Sequence, residues 1–334
     1  MSDLTELLKE AIIIDGACPL ANVGNHWERW IEGRATAIAV TVATNDSIES
    51  TMHKIGSWFK KFRKYPNKLL HITSVEDIYR AKREKKLGII FHFQNTLPFG
   101  TDLNMIEVYH KLGVRIVQLC YNVKNFVGDG CSERTDCGLS EFGIKVISEM
   151  NRLGIVVDLS HCGYRTSMEA IEVSKDPVIF SHSNVRAICD SPRNLTDDQI
   201  IAVASKGGTI GINGFPAFVA KKPKPTLDDL LKHVDYIAEL VGTKHIAIGM
   251  DYWEGMAGIS SEEDARALYD SLIESGSWNP KDYPPPPWYY PEGIEVPNKL
   301  YRLAEALLDR GYSKQDVKNI LGENLIRVFK RVWK

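Results

Sequence analysis

No apolar run in these 334 residues approaches the ~18 that a membrane-crossing helix needs, so no helical span is expected. An excess of charge of one sign is missing too. Lys and Arg total 41 against 43 Asp and Glu, and a formal net charge of −2 gives no broad field toward nucleic acid or an acidic membrane. The basic clusters at Lys60, Lys61, Arg63 and Lys64, and at Lys82, Arg83, Lys85 and Lys86, alternate with apolar residues and read as wet helix faces. Six cysteines (Cys18, Cys120, Cys131, Cys137, Cys162, Cys189) form no C-x-x-C pair and read mostly as reduced, buried small apolar groups. Only four glutamines occur among many lysines and glutamates, a balance found in heat-adapted proteins. The opening Met1-Ser2-Asp3-Leu4-Thr5-Glu6 is polar and acidic, unlike a secretory leader, so a cytoplasmic protein is expected.

What is present is regular. Eight β-rich runs recur: Ile12–Asp15, Thr36–Val42, Gly88–Phe93, Arg115–Leu119, Ile155–Leu159, Val178–Ser181, Thr209–Ile212 and His245–Met250. They are nearly continuous in Ile, Val and Phe, as expected of strands covered on both faces. Helical spacing separates most of them, as in Thr51–Phe62, Leu103–Leu112, Glu141–Leu153 and Leu227–Val241, with Ser140, Thr196 and Thr226 as N-caps. Eight strand–helix units predict a (β/α)₈ TIM-like barrel in a single domain spanning 1–334. The rival, a doubly wound sheet, would carry a glycine-rich phosphate loop after its first strand, where this chain has Asp15-Gly16-Ala17-Cys18-Pro19. Residues 253–297, rich in Pro and aromatics, interrupt the period and read as a lid over the barrel mouth or an oligomer contact. A helical tail is expected over 313–333.

Two histidines each end an apolar run: Ile155-Val156-Val157-Asp158-Leu159-Ser160-His161 and Pro177-Val178-Ile179-Phe180-Ser181-His182. One helical segment, Arg165 to Ser174, lies between them. Strand–helix–strand is a parallel unit, so both imidazoles should reach one rim, near enough to share a metal ion. Barrel sites lie at the C-terminal ends of strands, which adds Asp15, Cys18, His92, Gln94, Tyr121, Asn122, Asp158, Asn213 and Asp251 as candidates. Two imidazoles and a carboxylate can hold a zinc-like ion and bring the pKa of its water to about 7. Asp251, if it holds no metal, could take a proton and pass it to a leaving amine. Asp158 reads as a loop-holding group, and His92 as either a core histidine or an extra site residue.

The runs containing Asp158-Leu159-Ser160-His161, Phe180-Ser181-His182-Ser183-Asn184 and Ser191-Pro192-Arg193-Asn194-Leu195-Thr196-Asp197 resemble the membrane dipeptidase (renal dipeptidase) family of metallopeptidases. Gly128-Asp129-Gly130-Cys131, Ile212-Asn213-Gly214-Phe215-Pro216 and Gly249-Met250-Asp251 add to it, and the resemblance runs from about Ile12 to Trp333. It implies a (β/α)₈ barrel and zinc-dependent hydrolysis of dipeptides, often with a D-residue on the C-terminal side. It also makes a homodimer an expectation by analogy. Carried across, the two histidine ligands of one zinc fall on His161 and His182, and the catalytic or ligand aspartate on Asp251. The substrate-carboxylate arginine falls on Arg193, for which the plain alternative is a surface arginine at a helix entry. A transition-state histidine aligns with about Tyr121. Gln94, Asn122 and Asn213 join Arg193 as candidate substrate-binding groups.

Three departures stand out. The family's first-strand His-x-Asp pair is Ala17 and Pro19 here, its bridging glutamate is Gln94, and its transition-state histidine is replaced at about Tyr121. Two divalent ions need several carboxylates to offset their charge. A dizinc centre is therefore not expected. The first reading is a one-metal hydrolase of dipeptide-like or small amide substrates, with a zinc-like ion on His161, His182 and Asp251. A lyase or metal-independent acid–base enzyme on the same barrel is the second. The third is a non-catalytic ligand-binding homologue without metal. A small-molecule partner is common to all three.

Overall fold

The computed structural model describes residues 3–334. Nine strands run in chain order: β1 Ile14–Cys18, β2 Ala37–Ala43, β3 Leu69–His71, β4 Leu87–Phe93, β5 Val114–Gln118, β6 Val156–Asp158, β7 Ile179–Phe180, β8 Thr209–Ile212 and β9 Ile246–Ile248. Every pairing is parallel. The order β2-β1-β9-β8-β7-β6-β5-β4 closes through β2 on β4, with Ala37 opposite Gly88, into a barrel of eight strands. This is the expected (β/α)₈ barrel, and each of the eight predicted runs overlaps one of its strands. The exception is β3, which sequence reading missed. It is three residues long and pairs only with the first residues of β4.

The strands β1, β2, β4 and β5 are buried at every residue, as two-sided cover demands. Helices Glu141–Leu153, Asp197–Ser205 and Leu227–Val241 begin where their caps predict: the Ser140, Thr196 and Thr226 hydroxyls accept from Gly143, Gln199 and Asp229 N–H. The segment 253–297 holds one regular element, the helix Glu262–Glu274, capped by Ser261. No helix among the described residues is long and apolar enough to cross a membrane.

The terminal stretch closes the opposite end of the barrel. Helices Lys314–Lys318 and Asn324–Val332 are joined by a π-turn over Asn319–Glu323. Leu325, Phe329 and Val332 share one buried cluster with the inward-facing Ile14, Ala39, Ile90, Ile116, Val156 and Ile179. Asn324 Nδ2 donates to the carbonyls of Thr243 and Ile246 at the start of β9. Gly322 is required there, because a Cβ would sit 2.4 Å from the Ile12 carbonyl oxygen.

Candidate active site

β6 and β7 deliver the two histidines to the same rim. Asp158, the last residue of β6, pairs with Ile179, so His161 and His182 leave neighbouring strands three residues after one partner and three after the other. The rings meet edge on, with His161 Nε2 2.9 Å from His182 Nε2. His161 achieves this with a left-handed backbone (φ +64°). Asn122 and Asp251 share that conformation at φ +59° and +54°, and each such residue stores about 1–2 kcal/mol. Three strained non-glycine residues gathered at this rim mark it as the functional end.

The remaining ring nitrogens fix the protons. Asn122 Nδ2 donates to the Ser277 carbonyl (3.0 Å), so its Oδ1 must be the atom facing His161 Nδ1, at 2.6 Å. An amide oxygen only accepts, so His161 carries its proton on Nδ1. On the other side, Ser181 Oγ donates to Asp158 Oδ2 (2.5 Å) and, its one proton spent, accepts from His182 Nδ1 (2.6 Å). Burial works to raise the Asp158 carboxyl, but hydrogen bonds from His92 and Ser181 and the nearby imidazoles hold it at about 2, so it stays an acceptor. Burial, reinforced by the Arg193 charge, drives both site histidines well below the usual imidazole range, and they are neutral. Both Nε2 atoms therefore aim lone pairs at one another. Such a pair repels unless a cation lies between, and imidazoles so oriented by their outer nitrogens are prepared metal ligands.

The wider donor set is thin. Among the described residues no group of three or more His, Cys, Asp or Glu side chains comes together to hold a metal. Ala17 and Pro19 offer nothing, and Gln94 Nε2 donates to Thr41 Oγ1 (3.1 Å). The His161–His182 pair offers two imidazole nitrogens to a cation, and no other His, Cys, Asp or Glu joins them among the described residues. Asp251, expected as the third ligand, does not join that pair in a metal-holding group among the described residues; the amides of Gln94 and Asn213 lie near its carboxyl. Burial pushes it up to about 7. Arg193 pulls against that rise, Asp15 adds to it, and the two amide hydrogen bonds pull it down.

A cavity of about 380 Å³ opens at the mouth and is lined by Gln94, Tyr121, His161 and Asp251, with Trp253, Trp278 and Tyr283 from the 253–297 segment. His182, Asn122, Asn213 and Arg193 are buried behind this wall. Three carboxyls (Asp46, Asp251, Glu254) and no Lys or Arg line it among the described residues. The Tyr121 ring stacks on His161 (centroids 4.2 Å, 25°) while its hydroxyl accepts from Trp278 Nε1 (3.0 Å). Asn213 Oδ1 accepts from Phe215 N–H (2.6 Å) and its Nδ2 donates to the His182 carbonyl (3.4 Å). Arg193 is only 2% exposed, which rules out a surface helix-entry arginine. Its Nη2 donates to the His182 carbonyl (3.3 Å), its guanidinium lies 5.2 Å from the Phe218 ring centroid, and its Nε finds no partner.

His92 is not a pocket residue: Nε2 donates to Asp158 (3.0 Å) from full burial. Cys18 is buried, and desolvation pushes its thiol well up, so it offers no thiolate. Sequence reading did not single out Ser181 or Tyr283. Ser181 sits directly before His182, which was the available signal. Tyr283 Oη donates to Asn122 Oδ1 (3.0 Å) from far along the chain, and no local pattern announces it.

This architecture and rim define a (β/α)₈ barrel with a paired-histidine site at its mouth. The profile of the membrane dipeptidase family (peptidase family M19) matches residues 4–282 and 288–334, and the chain belongs to that family. An uncharacterized dipeptidase of Schizosaccharomyces pombe is 28% identical over 292 residues, 85% of this chain and 62% of its own length. A second from the same yeast is 32% identical over 231 residues, 68% of this chain and 49% of its own. The chain thus spans about half to three-fifths of those curated relatives. The crystal structure of an amidohydrolase from Pseudomonas aeruginosa superposes with a TM-score of 0.88 at 34% identity, covering 99% of both chains.

Proposed function

We propose that the chain hydrolyses dipeptide-like or small amide substrates with one divalent ion, a zinc-like ion, held by His161 and His182. The observation that carries this is the forced pair of tautomers: Asn122 and Ser181 each occupy an Nδ1, leaving two neutral Nε2 lone pairs that face one another beside the cavity His161 lines. An ion bound there supplies Lewis acidity and makes water nucleophilic near neutral pH. The chain's own groups do the rest. Asp251, with a carboxyl near 7 and a place on the cavity wall, accepts a proton from water and returns it to the leaving amine. The carboxyl-lined wall suits a free ammonium group. Arg193 provides positive potential from behind the wall for the carboxylate end of the substrate. The 253–297 segment acts as the lid that excludes water, since its Trp253, Trp278 and Tyr283 form part of the cavity.

Metal content per chain, measured together with turnover of a dipeptide panel that includes C-terminal D-residues, tests this. The expected result is about one ion per chain, with metal and activity both lost in His161→Ala and His182→Ala. Turnover by metal-free protein would replace the reading with acid–base catalysis by Asp251. An ion-loaded protein that binds the panel without turnover would make it a binding protein.

A further inference from the structure

Asn122 is the point at which the 253–297 segment meets the histidine pair, and the role assigned to it below the lid rests on the one-ion reading of that pair. Asn122 Nδ2 donates to the Ser277 carbonyl, and Asn122 Oδ1 accepts from Tyr283 Oη as well as from His161 Nδ1. Ser277 and Tyr283 belong to the segment; Asn122 and His161 belong to the barrel. Without the two segment contacts, only the weak, long thiol bond from Cys131 Sγ to Oδ1 (3.7 Å) distinguishes the oxygen from the NH₂ end of the amide. A flipped amide would present NH₂ to His161 Nδ1, and the neutral ring would then carry its proton on Nε2. The lone pair facing His182 would be lost, and with it the prepared cation site.

The geometry points to Tyr283 and the Ser277 carbonyl as positioning groups for His161: the seated segment sets the tautomer of a metal ligand. Closure and cation affinity are thereby one equilibrium. The segment is fastened to the barrel independently. Ser132 Oγ donates to Asp282 Oδ2 (2.6 Å), Asn45 Nδ2 donates to Ser277 Oγ (2.9 Å), and Trp278 Nε1 donates to Tyr121 Oη (3.0 Å). By linkage, whatever seats the segment tightens the ion, and the ion favours the seated segment by the same factor.

Metal-free protein carrying ¹⁵N-labelled histidine reads the tautomer directly, and Zn²⁺ titration of the same samples reads affinity. The wild type is expected to show His161 protonated at Nδ1 with a bare Nε2. Tyr283→Phe keeps the stacked ring and removes the hydroxyl; it is expected to show mixed tautomers and a Zn²⁺ Kd raised about 10–100-fold. Ser132→Ala, which frees Asp282 and keeps the backbone bond from Ser132 N–H to the Asn122 carbonyl, should move both readouts the same way by less, and it decides the matter if Tyr283→Phe unfolds. Unchanged ¹⁵N shifts and unchanged Kd in the folded variants, with the wild type binding Zn²⁺, overturn the inference and leave the one-ion reading intact. A wild type that binds no Zn²⁺ but whose His161 tautomer shifts in Tyr283→Phe leaves the coupling standing and removes the one-ion reading.

Discussion

Asp158 governs His182 without touching it. The Ser181 hydroxyl stands between them, 2.5 Å from the carboxylate and 2.6 Å from the ring. The same carboxylate collects His92 Nε2–H and the backbone N–H groups of Ser160 and Ser181, so the last residue of β6 organises the entry to both histidine loops.

Removing that hydroxyl gives the first prediction. Ser181→Ala leaves His182 Nδ1 without an acceptor and Asp158 with one donor fewer, all of them buried. Zn²⁺ affinity should fall about 10–100-fold, as for other losses behind a metal ligand. Stability should fall by about 1–3 kcal/mol. Calorimetric titration and urea unfolding measure the two, and wild-type Zn²⁺ affinity in the variant would refute the relay.

Gln94→Glu returns an acid to the position where the family bridges two ions. It should tighten binding of the first ion, yet metal content should stay at one per chain, because Ala17 and Pro19 at the end of β1 donate nothing. Two ions per chain in elemental analysis would contradict this account of the donor set.

Glycines around the Ser181 carbonyl allow the ends of β8 and β9 to close on β7. A Cβ at Gly211 would lie 1.9 Å from that oxygen, and one at Gly249 would lie 1.8 Å away, with no flexible side chain to yield. Gly249→Ala should therefore cost about 3 kcal/mol in urea unfolding. Gly56, inside the helix Ile48–Lys64 with nothing near its Cβ position, should behave oppositely. Gly56→Ala should gain about 0.5–1 kcal/mol.

Acid should unfold the protein from its histidines. Burial holds His71 at about 4, with Arg115 adding repulsion, and burial holds His233 at about 4. Unfolded imidazoles titrate near ~6.5, so below that pH the unfolded chain takes up protons the native state refuses. The stability these two histidines carry is complete above about 6.5 and is lost as pH falls toward 4, with a slope of up to about 1.4 kcal/mol per pH unit for each group. His71 packs among Phe59, Phe62 and Phe91, so His71→Phe should fold and flatten that slope. An unchanged slope between pH 6.5 and 4 would show that His71 is not one of the titrating groups.

The barrel was legible because two-sided burial writes itself as unbroken apolar runs, and because Ser140, Thr196 and Thr226 mark helix starts chemically. The helix Glu262–Glu274 was legible in principle, since Ser261 precedes Ala265, Leu268, Tyr269 and Leu272 at helical spacing. The prolines after it drew the reading toward a loop. In the site, the convergence of His161 and His182 comes from one parallel unit. The contact between Asn122 and Tyr283 spans 161 residues, and that of Asn45 with Ser277 spans 232. Only folding brings such partners together. Asp251 lies just past the last barrel strand, where spacing can place it, but its separation from the histidine pair depends on rotamers that no spacing encodes.

The helix Asn324–Val332 seals the barrel floor with Leu325, Phe329 and Val332. A molecule reaching the histidines must therefore leave by the way it came. Traffic through a single doorway makes departure of the cleaved halves compete with arrival of fresh material, so accumulated product should slow turnover more than a through-channel would allow.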